Sequence, residues 1–194
     1  MESTELEKAL RKLDWATRYT LSVKRYTHIE RVIEHARDLA RRYGVEPLRV
    51  AVAAAGHDMA RELPPSRLVE LADHFGVPQH DPMREHPVLL HGPVAAGLMG
   101  ERYGVRDQEI LEAVYHHTLG SPHLEALGKI LYVADYTEPG RPYINDELLS
   151  YLLVDHLDDT VARVILHARN TFGRLSGRTR EFFDSLSTRT GAVW

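Results

Sequence analysis

The sequence predicts an all-α fold, and three observations support this prediction. Apolar residues recur at helical spacing along most of the 194 residues. The period-two alternation of half-buried β-strands is nearly absent. Hydrophobic residues make up 43% and charged residues 27% of the chain, which is typical of a globular protein. The length suits one domain with a sizeable core, so we expect a single helical bundle.

Four helices are predicted in the first half of the chain, at about 4–13, 22–43, 47–58 and 64–74. The second ends at Gly44, because glycine favours the left-handed conformation that follows a helix. Pro47 suits the first turn of the third helix, and residues 50–55 are apolar all round, which indicates a buried central helix. Three prolines between 76 and 87 predict an irregular loop.

Four more helices are predicted in the second half, at about 93–103, 108–117, 124–136 and 146–170. Pro93 suits a first helical turn, which places His91 at the mouth of that helix, where free N–H groups attract anions. Asp107 is a good N-cap for the helix at 108–117. Pro139 must end the helix at 124–136, because proline cannot continue a helix. We expect a helical domain over 1–170 and a tail over 171–194 that packs on the domain or trails from it.

Composition excludes several classes of function. The net charge is −4 and the basic residues are scattered, which argues against a nucleic-acid interface. Cysteine is absent, so disulfides and thiolate chemistry are excluded. No apolar run approaches the roughly 20 residues that span a bilayer. The first residues are charged, unlike a signal peptide, so we expect a cytoplasmic protein without a membrane partner.

Helical phase separates inward-facing from outward-facing histidines. His117 follows Ile110 and Val114 at steps of four and three, on the apolar face of its helix. His116 instead falls on the polar side, one turn after Glu112. The sequence therefore selects His117 as the inward member of the pair.

Asp135 also occupies a core-facing position, four residues after Leu131. It lies in the last turn of its helix, where the helix dipole disfavours negative charge. A buried carboxylate costs several kcal/mol, on the order of magnitude usual for buried ions, unless a cation compensates it. Either a metal ion or a pairing with Arg141 or Lys129 could compensate this charge.

His57 and Asp58 are polar residues at the end of the otherwise apolar central helix. His28 lies on the inward side of the second helix. One inward histidine is more often a hydrogen-bonded core residue than a ligand. Five inward ionisable groups on four helices are better explained by an N/O metal site, in which a bound water becomes a nucleophile near neutral pH. The other histidines, apart from His91, are expected at the surface or in loops: His35, His74, His80, His86, His116, His123, His156 and His167.

Five sequence blocks carry a resemblance to a known family. They are RYTH at 25–28, AAGHDMAR at 54–61, LHGPVAA at 90–96, YHHTLG at 115–120 and YVADYTEPGR at 132–141. The arrangement resembles the HD-domain superfamily, with its H…HD…D motif on helices around a metal. It is most similar to the YqeK family of symmetrical diadenosine tetraphosphate hydrolases. Two positions depart from that family, which usually has Lys at Arg61 and an Asn-Arg pair at Gly140-Arg141.

The resemblance implies a helical bundle around a buried metal site that cleaves diadenosine tetraphosphate into two ADP. It implies one or two iron ions, for which Mn or another divalent first-row metal can substitute. The metal ligands it implies are His28, His57, Asp58 and Asp135, with His91 and His117 binding either a second metal or the phosphates. The catalytic residues it implies are Asp58, Arg61, His91 and His117. The substrate-binding residues it implies are these four together with Arg25, His28, Asp135, Tyr136 and Arg141.

Two alternatives to this activity stay open at the level of sequence. One is a generic HD phosphohydrolase that acts on other nucleotides with the same metal. The other is a non-catalytic regulatory domain that senses nucleotide or iron, although a pure binder does not need the complete inward His and Asp set. The expected partner is a dinucleoside polyphosphate or ADP, and a homodimer is a possible assembly.

Overall fold

The predicted all-α fold is confirmed. A computed structural model describes residues 1–79, 81–173 and 175–187, with Pro82 described by its backbone alone, and these residues contain no strand. The α-helices, numbered in chain order, are α1 (Ser3–Thr20), α2 (Val23–Tyr43), α3 (Pro47–Gly56), α4 (Pro65–His74), α5 (His91–Tyr103), α6 (Gln108–His116), α7 (Ala126–Tyr136), α8 (Asp146–Leu152), α9 (Leu157–Phe172) and α10 (Gly177–Asp184). Two 3-10 turns, Pro82–Glu85 and Pro87–Leu90, precede α5.

The helix ends follow local chemistry. Ser22 caps α2 by accepting a hydrogen bond from the backbone N–H of Arg25, and Gly44 ends that helix with φ of 71°. Asp107 caps α6 as predicted, by accepting from the N–H groups of Glu109 and Ile110. Helix α5 begins at His91, two residues earlier than predicted, directly after a 3-10 turn.

Two predicted helix bounds were wrong. Helix α1 continues to Thr20, because Ala16 and Thr17 extend its buried face beyond Leu13. The single long helix predicted at 146–170 is divided into α8 and α9. Between them, Val154 donates its N–H to the Thr160 hydroxyl and accepts a hydrogen bond from the Tyr43 hydroxyl, 2.7 Å away. These tertiary hydrogen bonds hold the chain in a non-helical path that contains no proline or glycine.

Helix α3 lies at the centre of the bundle. Its residues Val50–Gly56 are all buried, and it packs against α1, α2, α6 and α7. The alanines present small side chains, so neighbouring helices can approach closely. The chain leaves α3 at His57, which is therefore placed in the interior.

The C-terminal segment contributes to the core as far as it is described. Phe182 in α10 is fully buried, with its ring edge-to-face against Tyr132 at 5.5 Å. It also packs on Gly120, where a Cβ atom would overlap the Phe182 ring. Residues 188–194 of the expected tail lie outside the described residues. No helix among the described residues is long and apolar enough to cross a membrane.

An ion pair joins the beginnings of α3 and α6, the two helices that lead to His57 and His117. Arg49 donates two hydrogen bonds of 2.8 Å to Asp107, and these bonds hold the pKa of the Asp107 carboxyl below its usual value. A depressed carboxyl pKa stabilises the fold above the unfolded pKa of about 3.9, and this contribution is lost as the pH falls through the folded value.

We therefore expect Asp107→Asn, which keeps the helix cap but removes the charge, to lower the free energy of unfolding by about 1–2 kcal/mol at pH 7. Urea unfolding at pH 7 and near pH 3 measures this, and the difference between the two proteins should shrink at the lower pH. An equal difference at both pH values would contradict an ionic contribution.

Candidate metal centre

Six side chains converge at the centre of the bundle. They are His28, His57, Asp58, His91, His117 and Asp135. The elements that supply them are α2, the chain just after α3, the first residue of α5, the residue that follows α6, and the last turn of α7. Asp135 is partly buried and the other five are buried. The structure thus brings together all the residues that the sequence proposed as metal ligands.

The Asp58 carboxylate lies between two groups of histidines. Its Oδ2 is 3.7 Å from His28 Nε2 and 3.6 Å from His57 Nε2. Its Oδ1 is 3.2 Å from His91 Nε2 and 3.9 Å from His117 Nε2. Each oxygen therefore faces a different pair of imidazoles, so one carboxylate can contribute to two neighbouring cation sites.

Asp135 is the second carboxylate of the cluster. Its Oδ1 lies 3.0 Å from His28 Nε2 and 3.9 Å from His57 Nε2. The geometric ligand sets divide accordingly: His28 and His57 with Asp58, His57 and His117 with Asp135, and His91 and His117 with Asp58. Within each set the donor atoms lie within 4.8 Å of one another.

Backbone carbonyls orient three of the imidazoles. The Nδ1 atoms of His57, His91 and His117 lie 2.7, 2.5 and 2.7 Å from the carbonyl oxygen three residues earlier in each case. A carbonyl oxygen only accepts, so each Nδ1 carries the hydrogen and donates it. In the neutral ring the lone pair is then on Nε2, which points into the cluster. This is the arrangement found in metal-binding histidines.

These residues fit a divalent metal. The Nε2 atoms of His28 and His57 are buried and make no hydrogen bond. The Nε2 lone pairs of His91 and His117 face each other at 3.1 Å, an arrangement that a cation between or beside them would stabilise. Imidazole and carboxylate donors without thiolate suit divalent first-row metals. The cluster is therefore a candidate metal centre.

The ionisation states also suit metal binding. Burial lowers the pKa of His57, and it lowers the pKa of His117 to about 3. Burial opposes ionisation of Asp58, but the surrounding imidazoles outweigh it and hold its pKa well below the usual value. Burial likewise opposes ionisation of Asp135, and the contacts with His28, His57 and Arg141 lower its pKa. Neutral His57 and His117 beside ionised carboxylates are the forms that coordinate a metal.

Arginines surround the entrance of the centre. Arg25 Nη1 is 2.6 Å from Asp58 Oδ2, and Arg141 Nη2 is 2.6 Å from Asp135 Oδ1. A cavity of about 220 Å³ opens here. Its lining residues are Arg25, Asp58, Arg61, Val88, Leu89, His91, His117, Thr118, Asp135 and Arg141. A larger depression of about 1110 Å³ beside α9 and α10 contains none of the candidate ligands, so size alone does not locate the site.

His116, Lys129 and Tyr136 lie outside the cluster of candidate ligands. His116 lies outside the cluster, 3.3 Å from Glu112, as helical phase predicted. Asp135 pairs with Arg141, whereas Lys129 pairs with Asp158. The Tyr136 ring does not line the cavity, and its hydroxyl makes a 2.7 Å hydrogen bond with His167.

Two of the histidines expected at the surface are half-buried and make tertiary hydrogen bonds. His35 Nε2 lies 2.8 Å from the Thr137 hydroxyl, and His167 bonds to Tyr136 as described. Both face α7 from neighbouring helices, a contact that helical phase within one element does not predict. His80 lies outside the described residues.

Sequence reasoning missed Glu138, which is buried behind His28. Its Oε2 lies 3.3 Å from His28 Nδ1, and its Oε1 accepts hydrogen bonds from Gly140 N at 2.6 Å and Arg31 Nη1 at 3.4 Å. Glu138 thus orients His28 as the carbonyls orient the other imidazoles. No local pattern marks it as buried, because its position depends on how the turn after α7 folds back on α2.

Comparison with known proteins agrees with this geometry. The HD domain family matches residues 25–140, more than half of the chain. The chain belongs to the HD domain family. The resemblance that the five sequence blocks indicate is thereby confirmed at the level of the family.

Two bacterial relatives share most of this HD domain. A protein of Bacillus subtilis (strain 168), named bis(5'-nucleosyl)-tetraphosphatase, symmetrical, is 37% identical over 124 residues, which are 63% of this chain and 66% of that protein. A protein of the same name from Staphylococcus aureus is 34% identical over 128 residues, 65% of this chain and 66% of that protein. The chain thus spans just under two thirds of the length of these relatives.

A solved structure shows the same fold. The crystal structure of a "predicted HD superfamily hydrolase involved in NAD metabolism" from Clostridium acetobutylicum matches with a TM-score of 0.81 at 28% identity. The match covers 90% of this chain and 95% of that one. The shared fold therefore extends beyond the residues that match the HD domain family.

The position of Glu138 generates a prediction. We expect Glu138→Gln to weaken Mn²⁺ binding by roughly tenfold to hundredfold, because carboxylates that orient metal-binding histidines contribute about that much to affinity. Equilibrium titration with Mn²⁺ after removal of bound metal measures the effect. Glu112→Gln is the matched control, since Glu112 contacts only the outer His116 in this region. An unchanged affinity for Glu138→Gln would contradict the orienting role.

Proposed function

We propose that this HD domain protein is a metal-dependent hydrolase that cleaves diadenosine tetraphosphate symmetrically into two ADP. The observation that carries the proposal is the Asp58 carboxylate, which faces one pair of imidazoles with each oxygen beneath a rim of arginines. The names of the Bacillus and Staphylococcus relatives support the choice of substrate. The arginine rim suits a polyanionic chain of phosphates.

The proposed ligands are His28, His57, Asp58, His91, His117 and Asp135, with Asp58 shared between two ions. Iron is the proposed metal, from the family resemblance and from the N/O donor set without thiolate. Mn or another divalent first-row metal can take its place. When bound, such ions lower the pKa of a coordinated water and withdraw negative charge from phosphate oxygens.

The remaining roles belong to the cationic side chains. Arg25 and Arg141 each hold a cluster carboxylate and line the cavity, where we propose that they orient phosphates. Arg61 lines the same cavity and, among the described residues, forms no ion pair. Its guanidinium is therefore available to stabilise charge on the leaving ADP. Tyr136 does not line the cavity, so we propose that it contributes to nucleotide binding indirectly, by supporting the residues that contact the nucleotide.

Product analysis tests the reaction. Chromatography after incubation with diadenosine tetraphosphate and Fe²⁺ or Mn²⁺ should show ADP as the sole product, at two molecules per substrate. AMP and ATP in equal amounts would contradict symmetrical cleavage. Equal turnover of simple nucleoside triphosphates would indicate a generic phosphohydrolase, and binding without turnover in either metal would indicate a regulatory domain.

Substitution separates proposed ligands from their neighbours. We expect His57→Ala, Asp58→Ala and Asp135→Ala each to remove nearly all turnover and to lower metal content, because each removes a donor atom. His116→Ala should stay close to wild type, since this ring lies outside the cluster. Metal analysis and rates on the same preparations decide the matter. Full metal content in Asp58→Ala would overturn its proposed place as shared ligand.

Arg61 offers a test of charge stabilisation. We expect Arg61→Ala to lose roughly 10²-fold in kcat per bound metal, the scale seen when one preorganised donor to a developing anion is removed. Arg61→Lys should retain much of the activity, and the metal content of both should match wild type, because a guanidinium is not a ligand. An unchanged kcat in Arg61→Ala would remove this residue from the mechanism.

A further inference from the structure

The cavity above the metal centre is too small for a nucleotide. Its volume is about 220 Å³, whereas sites that enclose small ligands usually range from about 300 to 1,000 Å³. Its lining is dominated by cationic and metal-ligating side chains, which suit phosphate groups and not a planar base. If the proposed function is right, the nucleoside must lie on the surface that adjoins this cavity.

An aromatic cluster adjoins the cavity on the Arg141 side. It consists of Tyr136, Tyr143, His167 and Phe172, and we call it the aromatic shelf. The Tyr143 ring centroid lies 5.3 Å from that of Tyr136 and 5.4 Å from that of Phe172. Tyr136 is fixed from behind by its hydrogen bond with His167.

The shelf is continuous with the metal centre. Arg141 bonds to the Asp135 carboxylate and to the Asp135 backbone carbonyl, and it lines the cavity. Tyr143 follows Arg141 by two residues, and its hydroxyl donates a 3.5 Å hydrogen bond to the Tyr136 carbonyl. The Arg141 guanidinium and the Tyr143 hydroxyl also interact electrostatically, which places the two side chains near each other.

The outer part of the aromatic shelf is exposed to solvent. Phe172 is 59% exposed, although it is the last residue of α9 and packs on other aromatic rings. The rings of Tyr143 and Phe172 meet at 83°, so they form a corner of two aromatic surfaces. A planar base in such a corner can stack on one ring while its edge contacts the other.

We propose that Tyr143 and Phe172 bind the purine base of a nucleoside diphosphate group whose phosphates lie at Arg141. This inference rests on the proposed function and deepens it, because it assigns the base-binding part of the site. Stacking on aromatic side chains tolerates different bases, so the shelf adds affinity for a base without selecting one. The phosphate contacts at Arg141 determine where the nucleotide lies along the site.

Other exposed aromatic residues do not share this position. Trp15 and Tyr19 form a pair on α1, 5.1 Å apart, and are 66% and 68% exposed. Neither lines the cavity or contacts a residue of the shelf among the described residues. Trp15 therefore provides a matched control for the removal of an exposed aromatic ring.

The test compares two probes on the metal-loaded full chain by calorimetry: ADP, and inorganic pyrophosphate as its counterpart without a nucleoside. We expect Tyr143→Leu and Phe172→Leu to weaken ADP binding on the order of tenfold, the scale of one lost stacking contact. Pyrophosphate binding should stay within about twofold of wild type, on the scale of experimental scatter expected when no charged contact changes. Tyr143→Phe should retain ADP binding, and Trp15→Leu should alter neither probe.

Unchanged ADP binding in both leucine variants overturns the inference, and so does equal weakening of ADP and pyrophosphate. Phe172→Leu keeps the test decisive if Tyr143→Leu fails to fold, because Phe172 is mostly exposed. Binding is measured without turnover, so the two proposals fail separately. Symmetrical cleavage with shelf-independent ADP binding refutes the shelf alone. Shelf-dependent ADP binding without that cleavage refutes the proposed reaction alone.

Discussion

The buried negative charge of Asp58 is the constraint on which the rest of this structure depends. An isolated carboxylate in a protein interior is strongly unfavourable, and removing one partner of a buried pair costs about 3–5 kcal/mol. Here the Arg25 guanidinium pairs with the carboxylate, and the Nε2 atoms of four imidazoles lie 3.2–3.9 Å from its oxygens, where a bound cation would compensate the remaining charge. These groups come from separate helices, so the packing of the bundle brings them together around Asp58 and forms the candidate metal centre.

The acceptors that hold the outer ring nitrogens of the histidines favour cation binding at the centre, because they leave the Nε2 lone pairs facing inward. Each ring nitrogen that faces away from the centre is held by an acceptor: a carbonyl for three histidines, and Glu138 for His28. Glu138 in turn is held by Arg31, which passes over Gly140, where a Cβ atom would overlap the Arg31 guanidinium.

The candidate metal centre and the residues around its entrance lie on different parts of the fold. The ligands lie on the rigid core of α2, α3 and α5–α7, whereas Arg25, Arg61 and Arg141 stand at the rim and the aromatic shelf lies on α9 and the turn after α7. Arg25 and Arg141 join the two regions, because each contacts a carboxylate of the cluster at 2.6 Å, whereas Tyr143 and Phe172 contact none of the candidate ligands among the described residues. The Clostridium structure matches 90% of this chain, so the shared scaffold extends well beyond the candidate ligands.

The sequence by itself determined the helices with strong periodicity or clear caps, such as α2 between Ser22 and Gly44, and it selected His117 over His116, because helical phase is a local property. It also brought forward five of the six candidate ligands, since polar residues on apolar faces stand out, whereas His91 was added as a ligand only by the family resemblance. Only the tertiary structure decided the break between α8 and α9, which depends on the distant Tyr43 hydroxyl. The same holds for Glu138 behind His28 and for Phe172 beside Tyr143. These contacts join residues far apart in the chain, and no period or cap in either segment encodes the partner.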